Sequence, residues 1–304
     1  MRKRVALYLI AVVNLVLYVT YLFITTKTSD NSALKPKSYS MTDCPNWRRL
    51  TESAHSCHVS HLNFSENLFD TFHEFAHECS SQLRNHLNIT YLENKDEIKG
   101  FIDYFQKNPN RTDCISVTLG IGNDIEVEKD LKKIYPKCRF FGADPELAVG
   151  KIFREIGTYK QTAVGVSSGY VRASVLDFKT NKYVFKKVPM IPLLDYLSSS
   201  KIADQVIDFL ILDAEGAEFD LMPYLSRGGP LDKAGVIICQ INLEIHTNFR
   251  IYDMTHQHFN LLLSQFIQDS DYLPLFTTER GHKRYYLINY KNQKCVERFF
   301  QHLC

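Results

Sequence analysis

Three carboxylates, Asp213, Glu215 and Glu218, fall within six positions of one another around Gly216, in the stretch IDFLILDAEGAEFDLM. Carboxylates grouped like this can orient an amine or a sulfonium, accept a proton from a hydroxyl, or hold a metal ion. The run before them is apolar, which puts the acidic group at the carboxyl end of a buried strand. Glu218 and Asp220 fall in the first turn of the helix that follows. The helix dipole favours negative charge there, so both are read as structural. Asp213 and Glu215 are the candidates for chemistry.

Other candidates share the position at a strand end. In TLGIGND, Gly120 and Gly122 let backbone amides approach a ligand closely, and Asn123–Asp124 begin a helix whose N-terminus favours polar or anionic groups. Asp124 departs from the dinucleotide fingerprint, which places a glycine where the chain must pack on a diphosphate. In FFGADPE, Asp144 ends a strand where a carboxylate can accept both hydroxyls of a ribose, the alternative being a plain helix cap before Pro145. In INLEIH, His246 is the candidate general base with Glu244 as its partner, against an ordinary structural role.

These residues need a frame that gathers strand ends. From Cys114 short apolar strands alternate with amphipathic stretches: CISVTLGIG, CRFFGAD, TAVGVS, VIDFLILD and AGVIICQINLEIH are the strands. YVRASVLDFKTNKYVFKKV reads as an inserted hairpin turning at KTN, and the chain ends in a helix and an antiparallel hairpin. Such alternation predicts an α/β fold, a doubly wound and mostly parallel Rossmann-like sheet with an antiparallel C-terminal hairpin. Ligands bind such sheets beyond the carboxyl ends of the strands, where the strand order reverses.

Upstream, Cys44 to Asn110 reads as a small helical subdomain, with Leu68, Phe72, Phe75, Cys79 and Leu83 on one face. Residues 25–43 read as a polar stem. Val5–Ile24 carries no charge and is long enough to cross a bilayer after the basic tail of residues 1–4. By the positive-inside rule this predicts one transmembrane signal anchor and a single-pass type II protein. Its body would be lumenal, in the Golgi or the endoplasmic reticulum, and in contact with the membrane only through Val5–Ile24. Sequons at Asn63, Asn88 and Asn110 agree with a glycosylated lumenal body. The eight cysteines permit disulfides, and Cys239, inside an apolar run, reads as a buried free thiol. A formal charge of +2 gives no reason to expect a nucleic-acid partner.

TLGIGND, GADPE, VPMIPLLDYL, IDFLILDAEGAE and INLEIH together resemble the FkbM-type methyltransferase domain, over about Asp113 to Tyr290. The resemblance implies residues 111–304 as the catalytic domain, S-adenosylmethionine as methyl donor, and an oxygen acceptor. Thr118, Gly120, Gly122, Asp144 and Asp213 would bind the donor. Thr118 stands where the family usually carries an acidic residue. Asp213, Glu215 and His246 would serve the acceptor, whose hydroxyl would belong to a glycan if the compartment is Golgi. No metal ion is required in this reading.

Two other functions stay open. A lumenal glycosyltransferase could use Asp213 and Glu215 to hold a metal ion against a sugar nucleotide. A non-catalytic binding protein could keep the fold without the chemistry. HEFAH, His73 to His77, matches the zinc-peptidase signature but lacks its downstream glycine and third histidine, although Asp96 could act as a third ligand. The triplet His55, His58 and His61 is a weaker candidate still.

Overall fold

The computed structural model describes residues 44–304, apart from 65–67, 96, 105–110, 178–179, 181, 248, 250–253 and 281. The first part is helical in α1 (Pro45–Phe64), α2 (Leu68–Cys79) and α3 (Ser81–Arg84). Leu68, Phe72, Phe75, Cys79 and Leu83 are all buried, as their spacing requires. The helical reading ends before Ile89. There β1 (Ile89–Glu93) and β2 (Ile98–Ile102) form an antiparallel hairpin, which their β-branched and aromatic residues favour.

Next come β3 (Ile115–Leu119), α4 (Glu126–Ile134), β4 (Arg139–Asp144), α5 (Val149–Phe153), β5 (Thr158–Gln161) and β6 (Ala163–Gly165). The inserted hairpin is β7 (Gly169–Asp177) and β8 (Lys182–Pro192), and α6 (Leu193–Ser199) and β9 (Val206–Leu212) follow it. The last elements are α7 (Glu218–Leu225), α8 (Pro230–Lys233), β10 (Ile237–Ile245), α9 (His256–Asp269), β11 (Tyr272–Arg280) and β12 (His282–Asn289).

Seven strands make one sheet in the order β11–β12–β10–β9–β3–β4–β5. β5, β4, β3, β9 and β10 are parallel, and β12 runs antiparallel to both of its neighbours. The chain leaves β3 for β4 on one side and later returns as β9 on the other, so the crevice opens above the ends of β3 and β9. Both strands are buried along their whole length, as expected for the centre of a covered parallel sheet. One strand differs from expectation. The edge strand beside β4 is Thr158–Gln161, and Ala163–Gly165 of TAVGVS joins β7 and β8 in a separate three-stranded sheet.

β10 alternates. Ile241, Leu243 and Ile245 are fully buried in one hydrophobic cluster, while Gln240, Asn242 and Glu244 point to the opposite face, under the β1–β2 hairpin. There Gln240 exchanges two hydrogen bonds with the backbone of Ile102, at 2.8 and 3.0 Å. Asn242 does the same with Gly100, at 3.0 and 3.0 Å. The two amide side chains replace a strand partner for β2.

All eight cysteines are paired: Cys44–Cys304, Cys57–Cys79, Cys114–Cys138 and Cys239–Cys295. The free-thiol reading of Cys239 is therefore corrected. It is buried because the segment after β12, which carries Cys295, packs beneath β10 in the same hydrophobic cluster. Cys114–Cys138 joins the starts of β3 and β4, the two strands whose far ends frame the crevice. Replacing both cysteines by serine is expected to lower stability by about 2–3 kcal/mol, read as a shift in the urea midpoint. A midpoint unchanged within error would show that the sheet alone fixes this register.

The type II lumenal placement does not stand. No helix among the described residues is long and apolar enough to cross a membrane, and Val5–Ile24 lies outside them. Of the sequon asparagines, Asn88 is exposed just before β1, while the side chain of Asn63 and the whole of Asn110 lie outside the described residues.

Candidate active site

The turn after β3 is set by two left-handed glycines, Gly120 (φ 77°) and Gly122 (φ 64°). A Cβ on Gly120 would lie 1.5 Å from the carbonyl oxygen of Asp213, so the ends of β3 and β9 touch backbone to backbone. Asp213 N–H donates to Leu119 O at 2.8 Å, and Gly120 N–H to Ala143 O at 2.9 Å. A Cβ on Gly122 would meet nothing within 4 Å, because that position faces a cleft.

Asp144 is buried and holds this turn from the side. Its Oδ2 accepts the N–H groups of Ile121 (2.9 Å) and Gly122 (3.3 Å), and its Oδ1 accepts that of Glu146 (2.7 Å). Burial raises the carboxyl pKa, and the three N–H bonds oppose that rise. The following loop is held by Tyr159, whose one hydroxyl proton is shared between Asp144 O and Glu146 O, each 2.7 Å from the hydroxyl oxygen. Lys186 of β8 pairs with Glu146 at 2.9 Å and ties the inserted hairpin to that loop.

Gly120, Gly122, Asp144, Asp213 and Glu215 all line one cleft of about 330 Å³, with Tyr183 and strand β7 on its far wall. Thr118 is not among the lining residues. It is buried and donates to Glu128 of α4 at 3.0 Å. A carboxylate does stand beside the position the resemblance singled out, but it comes from a helix residue ten positions on.

His246 lies behind Asp213 and Glu215. Its Nε2 is 3.5 Å from Asp213 Oδ1 and 3.5 Å from Glu215 Oε2, and its Nδ1 is 2.8 Å from Glu218 Oε1. Glu218 is fully buried and accepts twice more, from His246 N–H (3.0 Å) and Gly216 N–H (2.7 Å). Burial pulls the imidazole pKa down. Its bonds to Glu215 and Glu218 and the charges of Glu218 and Asp213 outweigh burial and push it up to about 11. Burial, followed by the charge of Glu244, lifts the Asp213 carboxyl to about 7. Glu215 itself sits in the left-handed region at φ 49°, a conformation a non-glycine residue holds only under strain.

The partner expected for His246 was Glu244, and the structure gives that place to Glu218. Glu244 pairs with Arg284 at 3.0 Å, and Arg284 also pairs with Glu97 at 2.9 Å. Lys99 of β2 bonds the same Glu97. The dipole reading of Glu218 missed its role because a glutamate in a first helical turn is common. The signal available was period two in QINLEIH, which puts His246 on the polar face of its strand.

The two histidines of the peptidase signature are engaged in hydrogen bonds. His73 Nδ1 donates to Asp70 O at 3.0 Å, and His77 Nε2 meets Thr277 O at 2.9 Å while its Nδ1 faces Arg84 at 3.0 Å. His58 is a core histidine bonded to Ser80 and Pro274.

The family model of the methyltransferase FkbM domain matches residues 63–274, more than half of the chain. The chain belongs to the FkbM methyltransferase family. The match begins upstream of Asp113, so this FkbM domain takes in part of the helical segment and the β1–β2 hairpin. Among solved structures, a Methanococcus jannaschii fibrillarin pre-rRNA processing protein is similar at 12% identity, over 67% of this chain and 84% of that one, with a TM-score of 0.34. No curated protein matches.

Proposed function

We propose that this FkbM protein transfers a methyl group from S-adenosylmethionine to a hydroxyl oxygen. The observation that supports this most is a single cleft with the Gly120–Gly122 turn and Asp144 on one side and Asp213 and Glu215, backed by His246, on the other. The residues present suit the donor. Gly122 leaves open space where any side chain would intrude, and Asp213 Oδ1 is a buried acceptor that takes no hydrogen bond.

In this reading Gly120 and Gly122 shape the cradle for the donor's amino-acid part. Asp144 accepts the ribose hydroxyls with the lone pairs its backbone bonds leave. Thr118 acts from behind, through Glu128. When bound, the donor supplies a methyl group on a positive sulfur, and transfer leaves that sulfur neutral, turns R–OH into R–OCH₃ and releases one proton. The protein's own part is to align the hydroxyl and receive that proton. His246, held as imidazolium, has no lone pair for it. Asp213 takes the proton in this reading, and His246 keeps the two cleft carboxylates in place.

The acceptor is a hydroxyl-bearing compound such as a glycan. The compartment no longer supports that choice. What supports it is the inserted hairpin, where Tyr170, Tyr183 and Phe185 are exposed. Arg172 lies over the Phe185 ring at 4.7 Å, and Lys187 over the Tyr170 ring at 5.2 Å. Flat rings framed by polar groups offer a sugar both an apolar face and hydrogen bonds.

The test is calorimetric titration of the disulfide-intact protein with S-adenosylmethionine. Wild type is expected to bind, and Asp144→Ala to bind at least tenfold more weakly, about 1.4 kcal/mol. A folded wild type that binds no donor would overturn the reading.

A further inference from the structure

We propose that Asp213, Glu215 and His246 form a binding site for a divalent cation at the wall of the cleft. This deepens the methyltransferase reading and rests on it for its chemistry, although the site itself does not depend on the donor.

The donor set comes first. A carboxylate oxygen from Asp213, one from Glu215 and a ring nitrogen of His246 lie within 4.8 Å of one another. His246 Nε2 is 3.5 Å from each carboxylate oxygen. Two ligands about 2.1 Å from an ion and at right angles to each other stand about 3 Å apart. Nε2 therefore needs to close on each carboxylate oxygen by about 0.5 Å, and all three atoms already lie within 4.8 Å of one another. Two oxygens and one imidazole nitrogen suit manganese-type ions, and the open side toward the cleft leaves positions for water or a substrate hydroxyl.

The second observation is independent of the carboxylates that would bind. Metal-ligating histidines almost always donate their other ring N–H to a carboxylate or carbonyl, which fixes both the tautomer and the ring's orientation. Glu218 does this for His246. It accepts from Nδ1 at 2.8 Å and from the residue's own backbone N–H at 3.0 Å, which aims Nε2 at Asp213 and Glu215. Glu218 is 0% exposed, so this orientation is built into the core.

The third observation is unsatisfied polarity. Asp213 Oδ1 is buried and takes no hydrogen bond. His282, whose ring centroid is 4.6 Å from that of His246, has a buried Nδ1 in the same condition. Besides the His246 imidazolium, 3.5 Å from Asp213 Oδ1, the cations close by are committed elsewhere, Arg284 to Glu97 and Glu244, and Lys99 to Glu97. An ion would take the place of the Nε2 proton of His246, which leaves to solvent.

The chemical consequence is specific. An ion in this position lowers the pKa of a hydroxyl that reaches it and holds that oxygen at the cleft wall. Asp213 gives one oxygen to the ion and keeps the other for the hydroxyl's proton. An acceptor with two neighbouring hydroxyls is favoured over one with a single hydroxyl, because both oxygens can meet the open positions.

Titration of the EDTA-stripped, full disulfide-bonded protein with MnCl₂ tests the site, followed by loss of the free-ion signal in electron paramagnetic resonance. Wild type is expected to bind one Mn²⁺ per chain, and Asp213→Asn and Glu215→Gln each to weaken binding at least tenfold. Both replacements keep side-chain size, and circular dichroism on each confirms folding. A folded wild type that binds no Mn²⁺, or binding left unchanged by both replacements, would overturn the proposal. S-adenosylmethionine binding is measured separately in EDTA. Donor binding without Mn²⁺ binding sinks the ion site alone, whereas Mn²⁺ binding without donor binding upholds the ion site and sinks the methyltransferase reading.

Discussion

Glu218→Gln is expected to cost the folded protein about 3–5 kcal/mol, the usual loss when one member of a buried charge pair is removed. Glu218 accepts three hydrogen bonds, from Gly216 N–H, His246 N–H and His246 Nδ1. A glutamine of the same size must turn one end of its amide toward these donors. Its NH₂ cannot accept, so at least one buried donor loses its partner. The imidazole also loses its most buried counter-charge. The damage is focused, because Gly216 and His246 belong to the loop and the strand end that carry the two cleft carboxylates. Urea unfolding at neutral pH measures the effect. A loss below about 1 kcal/mol would mean that Glu218 sits beside His246 without holding it.

Gly120→Ala is expected to be as severe, about 3–5 kcal/mol, by a different mechanism. Its φ of 77° is costly for any residue with a Cβ, about 1–3 kcal/mol. The added methyl would then fall 1.5 Å from Asp213 O, so one of two central strand ends must move, which adds an overpacking cost of about 1–3 kcal/mol. Gly122→Ala is the internal control. Its φ of 64° brings similar backbone strain, but its Cβ would meet nothing within 4 Å. The measurement is the difference between the two urea midpoints, with Gly120→Ala clearly the lower. Equal midpoints would show that backbone strain alone matters and that the contact between the strand ends is soft.

Much of this architecture is legible from local chemistry. The alternation of short apolar runs with amphipathic stretches gives the central strands, because a strand covered on both faces must be largely apolar, as ISVTL and VIDFLIL are apart from Ser116, Thr118 and Asp208. The glycine turn, Asp144 and the Asp213–Glu215 pair are legible because ligand sites in this type of sheet gather at strand ends. What lies opposite a residue is not legible. His77 meets Thr277 some 200 positions away, and no spacing within HEFAH could reveal that its ring is engaged there. Cys239 looks like a thiol in a core until the C-terminal segment is seen to deliver Cys295. Glu218 needs β10 in place before its partner is visible. The placing of Ala163–Gly165 of TAVGVS in the smaller sheet instead of beside β4 depends on where the inserted hairpin folds back, a tertiary fact that overrides local strand propensity.

The Cys44–Cys304 bond has a practical consequence. Trp47 Nε1 donates to Tyr290 O just after β12, and Arg298 pairs with Asp113 just before β3. Both contacts lie at the edge where the parallel strands begin, so the joined residues sit on the side of the sheet away from the cleft. A surface-coupling handle or a fusion partner attached after Cys304 would therefore leave the cleft mouth unobstructed. Immobilising the protein from that point gives a layer in which every molecule presents the same open face to ligand.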